Sequence, residues 1–316
     1  MIPADDSLWR ATIPILRSVT ILYILIALGF FSRRRALLPQ EAGRHFNGFI
    51  YYFALPALFF VNISKLDISS IQPVLIIASL GPILLLVVLL FLAKSLHLLS
   101  KDQYVLLSLS IAFSSSAFFG VPFFEEAMGE RGLSLAIITS SFLAPMGILL
   151  SLIFFEFATH KERGWGFLKK VFLSPLIIAI ALGFLCSALR IRVSFILTAG
   201  NFLGRTALGL AVFTLGMFIY DHLSREILRK GFQLTLFRIV SLPAATFLVL
   251  LCFSSLPPDL RIFLFLQSGI PSAISLAVFS QRYHYKIPEV SGIVIMTSLL
   301  SFVTLNALAL MDNLLW

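Results

Sequence analysis

Ten stretches of this chain, each about twenty residues or longer, run almost without charge, and only short polar segments separate them. Their approximate limits are 12–31, 45–64, 71–93, 103–128, 132–156, 171–190, 196–220, 231–254, 259–282 and 287–312. As a helix, a run of that length reaches across the ~30 Å hydrocarbon core of a bilayer. Apolar residues make up 59% of the 316 and charged residues 12%, about half the ~25% usual in soluble domains. No single soluble core of this size hides so much apolar surface. The expected fold class is therefore an all-α integral membrane protein with ten transmembrane helices. The longest loops, near 32–44 and 158–170, leave no room between spans for a soluble domain, so a cytosolic enzyme and a disulfide-built secreted fold are excluded.

The net charge of +9 follows from where Lys and Arg lie. With the first loop set inside, the inner loops carry fifteen of them: Arg33, Arg34, Arg35, Arg44, Lys94, Lys101, Lys161, Arg163, Lys169, Lys170, Arg225, Arg229, Lys230, Arg282 and Lys286. The outer segments carry six: Arg10, Lys65, Arg131, Arg190, Arg192 and Arg261. Positive loops face the cytoplasm, so both termini are expected outside a plasma (inner) membrane. The charge is thus a lipid-facing property, and no nucleic-acid partner is expected. Arg33–Arg35 follow the first run, where a signal peptide would have a small-residue cleavage site; that run is expected to be a transmembrane helix. Cys186 and Cys252 sit in apolar runs as packing residues, and the five histidines show no metal-ligand spacing.

Two echoes relate the halves. Ile26-Ala27-Leu28-Gly29-Phe30 recurs as Ile180-Ala181-Leu182-Gly183-Phe184, 154 residues on, and Gly120-Val121-Pro122 recurs as Gly269-Ile270-Pro271, 149 residues on. Five spans per repeat is an odd number, so the second repeat (158–316) is expected to enter the bilayer inverted relative to the first (1–157). Inverted repeats are characteristic of secondary transporters. Spans 4 and 9 each place Gly and Pro beside a serine-rich stretch: Ser114-Ser115-Ser116 before Gly120 and Pro122, and Gln267-Ser268 before Pro271-Ser272, then Ser275. Proline removes a helical hydrogen bond and clashes with the preceding turn. Backbone groups freed in this way at membrane depth need protein or a wet cavity. The expectation is that both helices break near mid-depth and cross. The half-helix after each proline would then present its N-terminal N–H groups to an anion. The expected substrate-binding residues are Ser115, Ser116, Gly120, Pro122, Gln267, Ser268, Pro271, Ser272 and Ser275.

These features resemble the auxin efflux carrier family of membrane transporters, which includes the plant PIN carriers and many bacterial permeases. The resemblance runs from about residue 15 to 312. It rests on Leu55-Pro56-Ala57-Leu58, Ser115 through Pro122, Gly129-Glu130-Arg131-Gly132-Leu133, Pro175-Leu176-Ile177-Ile178, Pro271-Ser272-Ala273, Val278 through Tyr283, and Ser298-Leu299-Leu300-Ser301. It implies a bile-acid/sodium symporter-like fold in which helices 4 and 9 cross at Pro122 and Pro271. Helices 1, 2, 6 and 7 would form a scaffold, often a homodimer, and helices 3–5 and 8–10 a moving transport domain. It also implies organic-anion substrates, commonly carboxylates. The chain departs from the family pattern at Ser115 and Ser275, where Asn is usual, at Ala117 in place of Gly, and at Gly209 in place of Pro. A hydroxyl offers one donor on a shorter arm than an amide, so the site is either wider or uses water.

Three arginines fall inside spans. Arg17 and Arg238 are expected to snorkel to the interface, while Arg205, after Asn201 and Gly204, either snorkels, pairs with a substrate carboxylate or lines the scaffold face of the pathway. Glu125 and Glu126, within a turn of Pro122, either hold a coupling proton or cation or are solvated at the outer mouth. The function expected is secondary transport of a small organic anion by alternating access, with no cofactor. Proton or sodium coupling is left open. A drug/metabolite-type carrier of a neutral or other small solute also has ten helices in two repeats, but it keeps both termini inside. Channel and sensor readings stand further off. An enzyme would need a titratable or metal-binding cluster at membrane depth, and the sequence shows none, so no catalytic or metal residue is expected.

Overall fold

The computed structural model describes residue 20 and residues 23–39, 41–66, 73–159, 169, 172–191, 193–222, 224–253 and 256–315. Arg10, Arg17, Lys161, Arg163, Lys170 and Arg192, and half of the first expected span, lie outside the described residues. The described chain is helical, with one isolated β-bridge and no strand. In chain order the helices are α1 (23–34), α2 (Ala42–Ser64), α3 (Pro73–Ser95), α4 (Lys101–Ala112), α5 (Val121–Thr159), α6 (Pro175–Ala188), α7 (Ser194–His222), α8 (Arg225–Leu251), α9 (Pro258–Ser268), α10 (Ser275–Arg282) and α11 (Ile287–Leu315).

Among the described residues five helices are long and apolar enough to cross a membrane, or six if the 49° bend in α11 is one span, against the ten expected. The difference has physical causes. α4 and α9 are only 12 and 11 residues long because each stops at a break, and α6 has 14. The apolar faces remain: Leu84, Leu85, Val88, Leu89, Phe91 and Leu92 stand exposed along α3 alone. A water-soluble protein rarely exposes a patch of that kind.

Two local devices handle the prolines. In α2 a π turn at Ile50–Ala54 ends with the Leu55 N–H bonded to the Ile50 carbonyl, and Pro56 follows. Before α5 a π turn at Ser116–Gly120 ends with the Val121 N–H bonded to the Ser116 carbonyl, and Pro122 follows. A π turn absorbs one extra residue, so the helix register shifts just where the next position lacks an N–H.

α5 holds the end of the fourth expected span and all of the fifth. Gly129 has φ 62 and ψ −150, outside any helix. A Cβ on Gly132 would lie 2.2 Å from the Phe124 carbonyl oxygen, eight residues back. In a straight helix those groups would be about 12 Å apart, so the chain reverses at Gly129 between 121–128 and 130–159. The positive φ there favours glycine.

α1, α2, α6 and α7 pack on one another, and α3, α4, α5, α8, α9 and α11 pack on one another. α10 touches both groups, reaching α11 and α5 on one side and α2 and α7 on the other. Both glycines of the 154-residue echo meet a partner helix. Gly29 of α1 would place a Cβ 1.9 Å from the Phe213 carbonyl oxygen of α7, and Gly183 of α6 would place one 3.1 Å from the Phe60 carbonyl oxygen of α2. Positions 29 and 183 are 154 apart, and positions 60 and 213 are 153 apart. α1 and α6 also end alike: Ala36 (φ 52) and Arg190 (φ 55), again 154 apart, sit in the same left-handed cap, closed by Leu37 N–H to Ser32 and by Ile191 N–H to Cys186.

Ion pairs join loops at two ends. Arg33–Asp221 (2.9 Å), Lys230–Glu289 (3.3 Å) and Lys286–Asp102 (3.0 Å) lie in loops expected on one side, and Arg131–Asp259 (3.0 Å) lies in loops expected on the other.

Candidate functional site

α4 stops at Ala112 and α9 at Ser268, and the chain that follows each runs out of helix inside the bundle. The two unwound segments pair. The Ser115 N–H donates to the Pro271 carbonyl at 2.8 Å, the Ala273 N–H donates to the Phe113 carbonyl at 2.9 Å, and Ser114 and Ser272 form an antiparallel bridge. Buried backbone groups must find partners, and here each broken helix supplies them to the other. Side chains finish the satisfaction. The Ser272 N–H donates to Thr297 Oγ1 at 3.1 Å, and its hydroxyl donates to the Ser110 carbonyl at 3.2 Å.

The crossing is centred on Ser114 and Ser272, 158 residues apart, and not on Pro122 and Pro271. This corrects the 149-residue echo, which is out of register with the crossing. Pro271 lies in the unwound segment, whereas Pro122 is the second residue of α5, beyond the π turn. A proline in a first helical turn loses no hydrogen bond, so Pro122 follows the break without forming it. The side chains of Pro122 and Glu126 lie outside the described residues.

Ser115, Ser116, Gln267, Ser268, Pro271, Ser272 and Ser275 are all buried at or beside the crossing. Gln267 donates through Nε2 to Thr139 Oγ1 at 2.8 Å, and Ser268 Oγ donates to the Phe265 carbonyl at 2.6 Å. A Cβ added to Gly120 would lie 3.9 Å from the Ile270 side chain. The Ser116 hydroxyl, at the start of the half-helix, is buried with no hydrogen-bond partner among the described residues. It is a donor available to a ligand at a positive helix end.

Two expectations from the sequence fall elsewhere. Arg205 is exposed in a groove of about 420 Å³ with Lys65, Ser194, Thr198 and Asn201, away from the crossing. Glu125 is exposed. Arg238 does not snorkel. It is 1% exposed, and its guanidinium donates to the Ser110 carbonyl, to Ser114 Oγ at 2.7 Å and to the Ile270 carbonyl at 2.7 Å. A buried charge costs several kcal/mol of desolvation, and hydrogen bonds from a charged donor return about 1.5–3 kcal/mol each. Three acceptors at the crossing hold the side chain inward against the pull of the interface.

An open cavity between the two helix groups was not visible in the sequence. It has a volume of about 530 Å³ and lies where α2 and α7 face α10, with Arg44, Asn47, Thr214, Asp221, Gln281 and Arg282 in its wall. Asn47 Nδ2 donates to Gln281 Oε1 across it, and Arg282 lies over the rings of Tyr51 and Tyr52. An aromatic set leads from this wall to the crossing: Tyr51 meets Phe279 edge-on at 5.9 Å, and Phe279 stacks on Phe113 at 6.3 Å. Phe113 precedes the bridging Ser114, and Phe279 is two residues from Gln281. Asn47 and Gln281 are polar residues in apolar spans. Among the described residues no cluster of three His, Cys, Asp or Glu could hold a metal ion.

A family model described as membrane transport protein matches residues 14–164 and 164–308. An uncharacterized transporter of Methanocaldococcus jannaschii is 27% identical over 303 residues, 91% of this chain and 95% of that protein. An uncharacterized transporter of Methanothermobacter thermautotrophicus is 24% identical over 299 residues, 89% of this chain and 93% of that protein. The multi-pass apolar helices and these matches point to a transporter and away from an enzyme.

Proposed function

The chain belongs to the membrane transport protein family, of the auxin efflux carrier type, and within it we propose a secondary carrier that moves a small organic anion, a carboxylate, by alternating access around the crossing of α4/α5 and α9/α10. The observation that carries this reading is the backbone pairing of Phe113–Ser115 with Pro271–Ala273 inside an apolar bundle. Crossed broken helices put one half-helix N-terminus on each side of the crossing, at Ser116 and at Ser275, and each favours negative charge.

The repeated Gly29 and Gly183 contacts and the matching Ala36 and Arg190 caps support ten helices in two inverted five-helix repeats. In this reading α1, α2, α6 and α7 are the scaffold, and the remaining helices move against it. The 530 Å³ cavity is then the substrate's way in from the cytoplasmic face, with Arg44 and Arg282 attracting the anion and Asn47 and Gln281 closing on it. The buried serines at the crossing receive it once the aromatic set of Phe113, Phe279 and Tyr51 separates. The protein would sit in the plasma membrane with both termini outside.

The test is a panel of small carboxylates and their neutral amides. A ligand that binds only the folded carrier raises its melting temperature. One carboxylate should stabilise the purified protein and enter proteoliposomes saturably, while its amide does neither. Equal stabilisation by acid and amide would sink the anion reading.

A further inference from the structure

Arg238 poses a physical problem that snorkelling would have avoided. α8 is apolar around it, the side chain is 1% exposed, and its three hydrogen-bond acceptors are uncharged. An arginine does not shed its proton in a protein. The crossing therefore holds one permanent positive charge with no carboxylate against it among the described residues.

The acceptors explain why it is there. Ser110 lies in the last turn of α4, whose final carbonyls have no helical N–H to bond because the chain leaves the helix at Phe113. Ile270 lies in the unwound stretch just past α9. Each break thus turns carbonyl oxygens, and the negative end of a helix dipole, toward the same point. Two such ends meeting in a low-dielectric interior make a cation site. In carriers with broken helices, unwound carbonyls and half-helix C-terminal ends are the usual ligands of a coupling sodium ion or proton.

We propose that Arg238 is the resident cation of this crossing: its guanidinium occupies the carbonyl site that an alkali cation would otherwise fill, so the crossing binds none. The fork of the guanidinium reaches both arms at once, Ser110 and Ser114 on the first and Ile270 on the second. A sodium ion arriving there would meet ligands already engaged and a like charge. Because the charge is tethered to α8, it travels with the crossing and cannot be exchanged with solvent. The inference rests on the geometry of the crossing and holds whatever the substrate is, so it stands or falls separately from the anion reading.

The experiment uses the full chain, purified in detergent, and reads the melting temperature in sodium, lithium, potassium and choline chlorides at equal ionic strength. Wild type should melt at one temperature in all four. A rise specific to sodium or lithium would overturn the proposal. Arg238→Ser should lower the melting temperature by several degrees. Guanidinium chloride at tens of millimolar, or sodium chloride, should return a measurable part of that loss, while choline chloride and urea at the same concentrations return none. An Arg238→Ser protein that melts like wild type, or that neither guanidinium nor sodium restores, would also overturn it. If Arg238→Ser yields no folded protein, Arg238→Lys takes its place. Its ammonium keeps the charge and should remain insensitive to sodium, and sodium-specific stabilisation of that variant would count against the proposal.

Discussion

The backbone N–H of Ser115 donates to the carbonyl of Pro271 at 2.8 Å, across 156 residues of sequence and between two helices that have both come apart. Neither segment could stay unwound in an apolar interior alone, since each would leave buried donors and acceptors unpaired. The crossing is a mutual solution, and its supports should behave as a unit.

Thr297 is one of those supports. Its hydroxyl accepts from the Ser272 N–H at 3.1 Å and donates to the Ile293 carbonyl at 2.8 Å. Thr297→Val keeps the shape and removes the acceptor, leaving a buried N–H unsatisfied at a cost of about 1–3 kcal/mol. The melting temperature of the purified protein should fall, whereas Thr297→Ser, which keeps the hydroxyl, should leave it nearly unchanged. Equal effects of the two substitutions would show that methyl packing, and not the hydrogen bond, is what Thr297 supplies.

The two prolines should separate in transport assays. Pro271 lies in the unwound segment and bonds to Ser115 through its carbonyl, while Pro122 sits in the first turn of α5. Removing Pro271 frees a φ angle within the crossing. A bias of about 1.4 kcal/mol between arrangements changes a rate roughly tenfold. Pro271→Ala should therefore slow uptake into proteoliposomes by about that factor at unchanged membrane insertion, and Pro122→Ala by much less. The reverse order would place the functional break at Pro122.

Gly29 and Gly183 occupy echoed positions yet have different room. An added Cβ would stand 1.9 Å from the Phe213 carbonyl oxygen at Gly29, a clash with backbone, but 3.0 Å from the Ile63 side chain at Gly183. Gly29→Ala must push α1 and α7 apart, and overpacking of that kind costs about 1–3 kcal/mol. Gly183→Ala needs a few tenths of an ångström from Ile63 at 3.0 Å and from the Phe60 carbonyl oxygen at 3.1 Å, a far smaller displacement, and gains up to ~1 kcal/mol of helix propensity. Thermal unfolding should show a loss of several degrees for the first and little change for the second.

Asp102 ties the start of α4 to the turn before α11. Lys286, bonded to it at 3.0 Å, holds its carboxyl below the usual range, and the Tyr285 hydroxyl at 2.9 Å adds to this against partial burial. A carboxylate depressed in the folded state contributes stability that is fully present above its unfolded pKa of about 3.9 and is lost as pH falls through the folded value. Asp102→Asn should therefore melt below wild type at neutral pH, with the gap closing only below about pH 4. The exposed position of the pair keeps the effect small. A gap that closed between pH 5 and 7 would assign the titration to another group.

The apolar runs made the membrane class legible, and within the Ile26 and Ile180 echo Gly29 and Gly183 each meet a partner helix at close range. Less was legible at the crossing. The eye goes to Gly-Val-Pro and Gly-Ile-Pro, but helix breaks are placed by where unpaired backbone can find a partner, and here that partner is the other break, at Ser114 and Ser272. Arg238 read as an interfacial residue because its spacing from the end of α8 allowed snorkelling. Its true environment depends on carbonyls from α4 and the segment after α9, which no local pattern reveals. The cavity wall was hidden for the same reason: Asn47 and Gln281 are 234 positions apart and become a pair only when α10 packs between the two helix groups.

That pair offers a direct test of relative motion. Asn47 belongs to the helices proposed as scaffold and Gln281 to those proposed to move, and their side chains bond across the cavity mouth. If transport requires α10 to slide or tilt against α2, a covalent tie between these positions must stop it. The side chains reach too far for a direct disulfide, whose Cβ atoms stand about 3.8 Å apart, so a short thiol-reactive linker cleavable by reductant is suitable. Cys186 and Cys252 are replaced first, because Cys252 is exposed and would react. With Asn47→Cys and Gln281→Cys together, linking should abolish uptake and reductant should restore it, while either single variant carries on after the same treatment. Full linking with undiminished uptake would mean that the two groups do not move apart at this mouth, and alternating access through the 530 Å³ cavity would have to be abandoned.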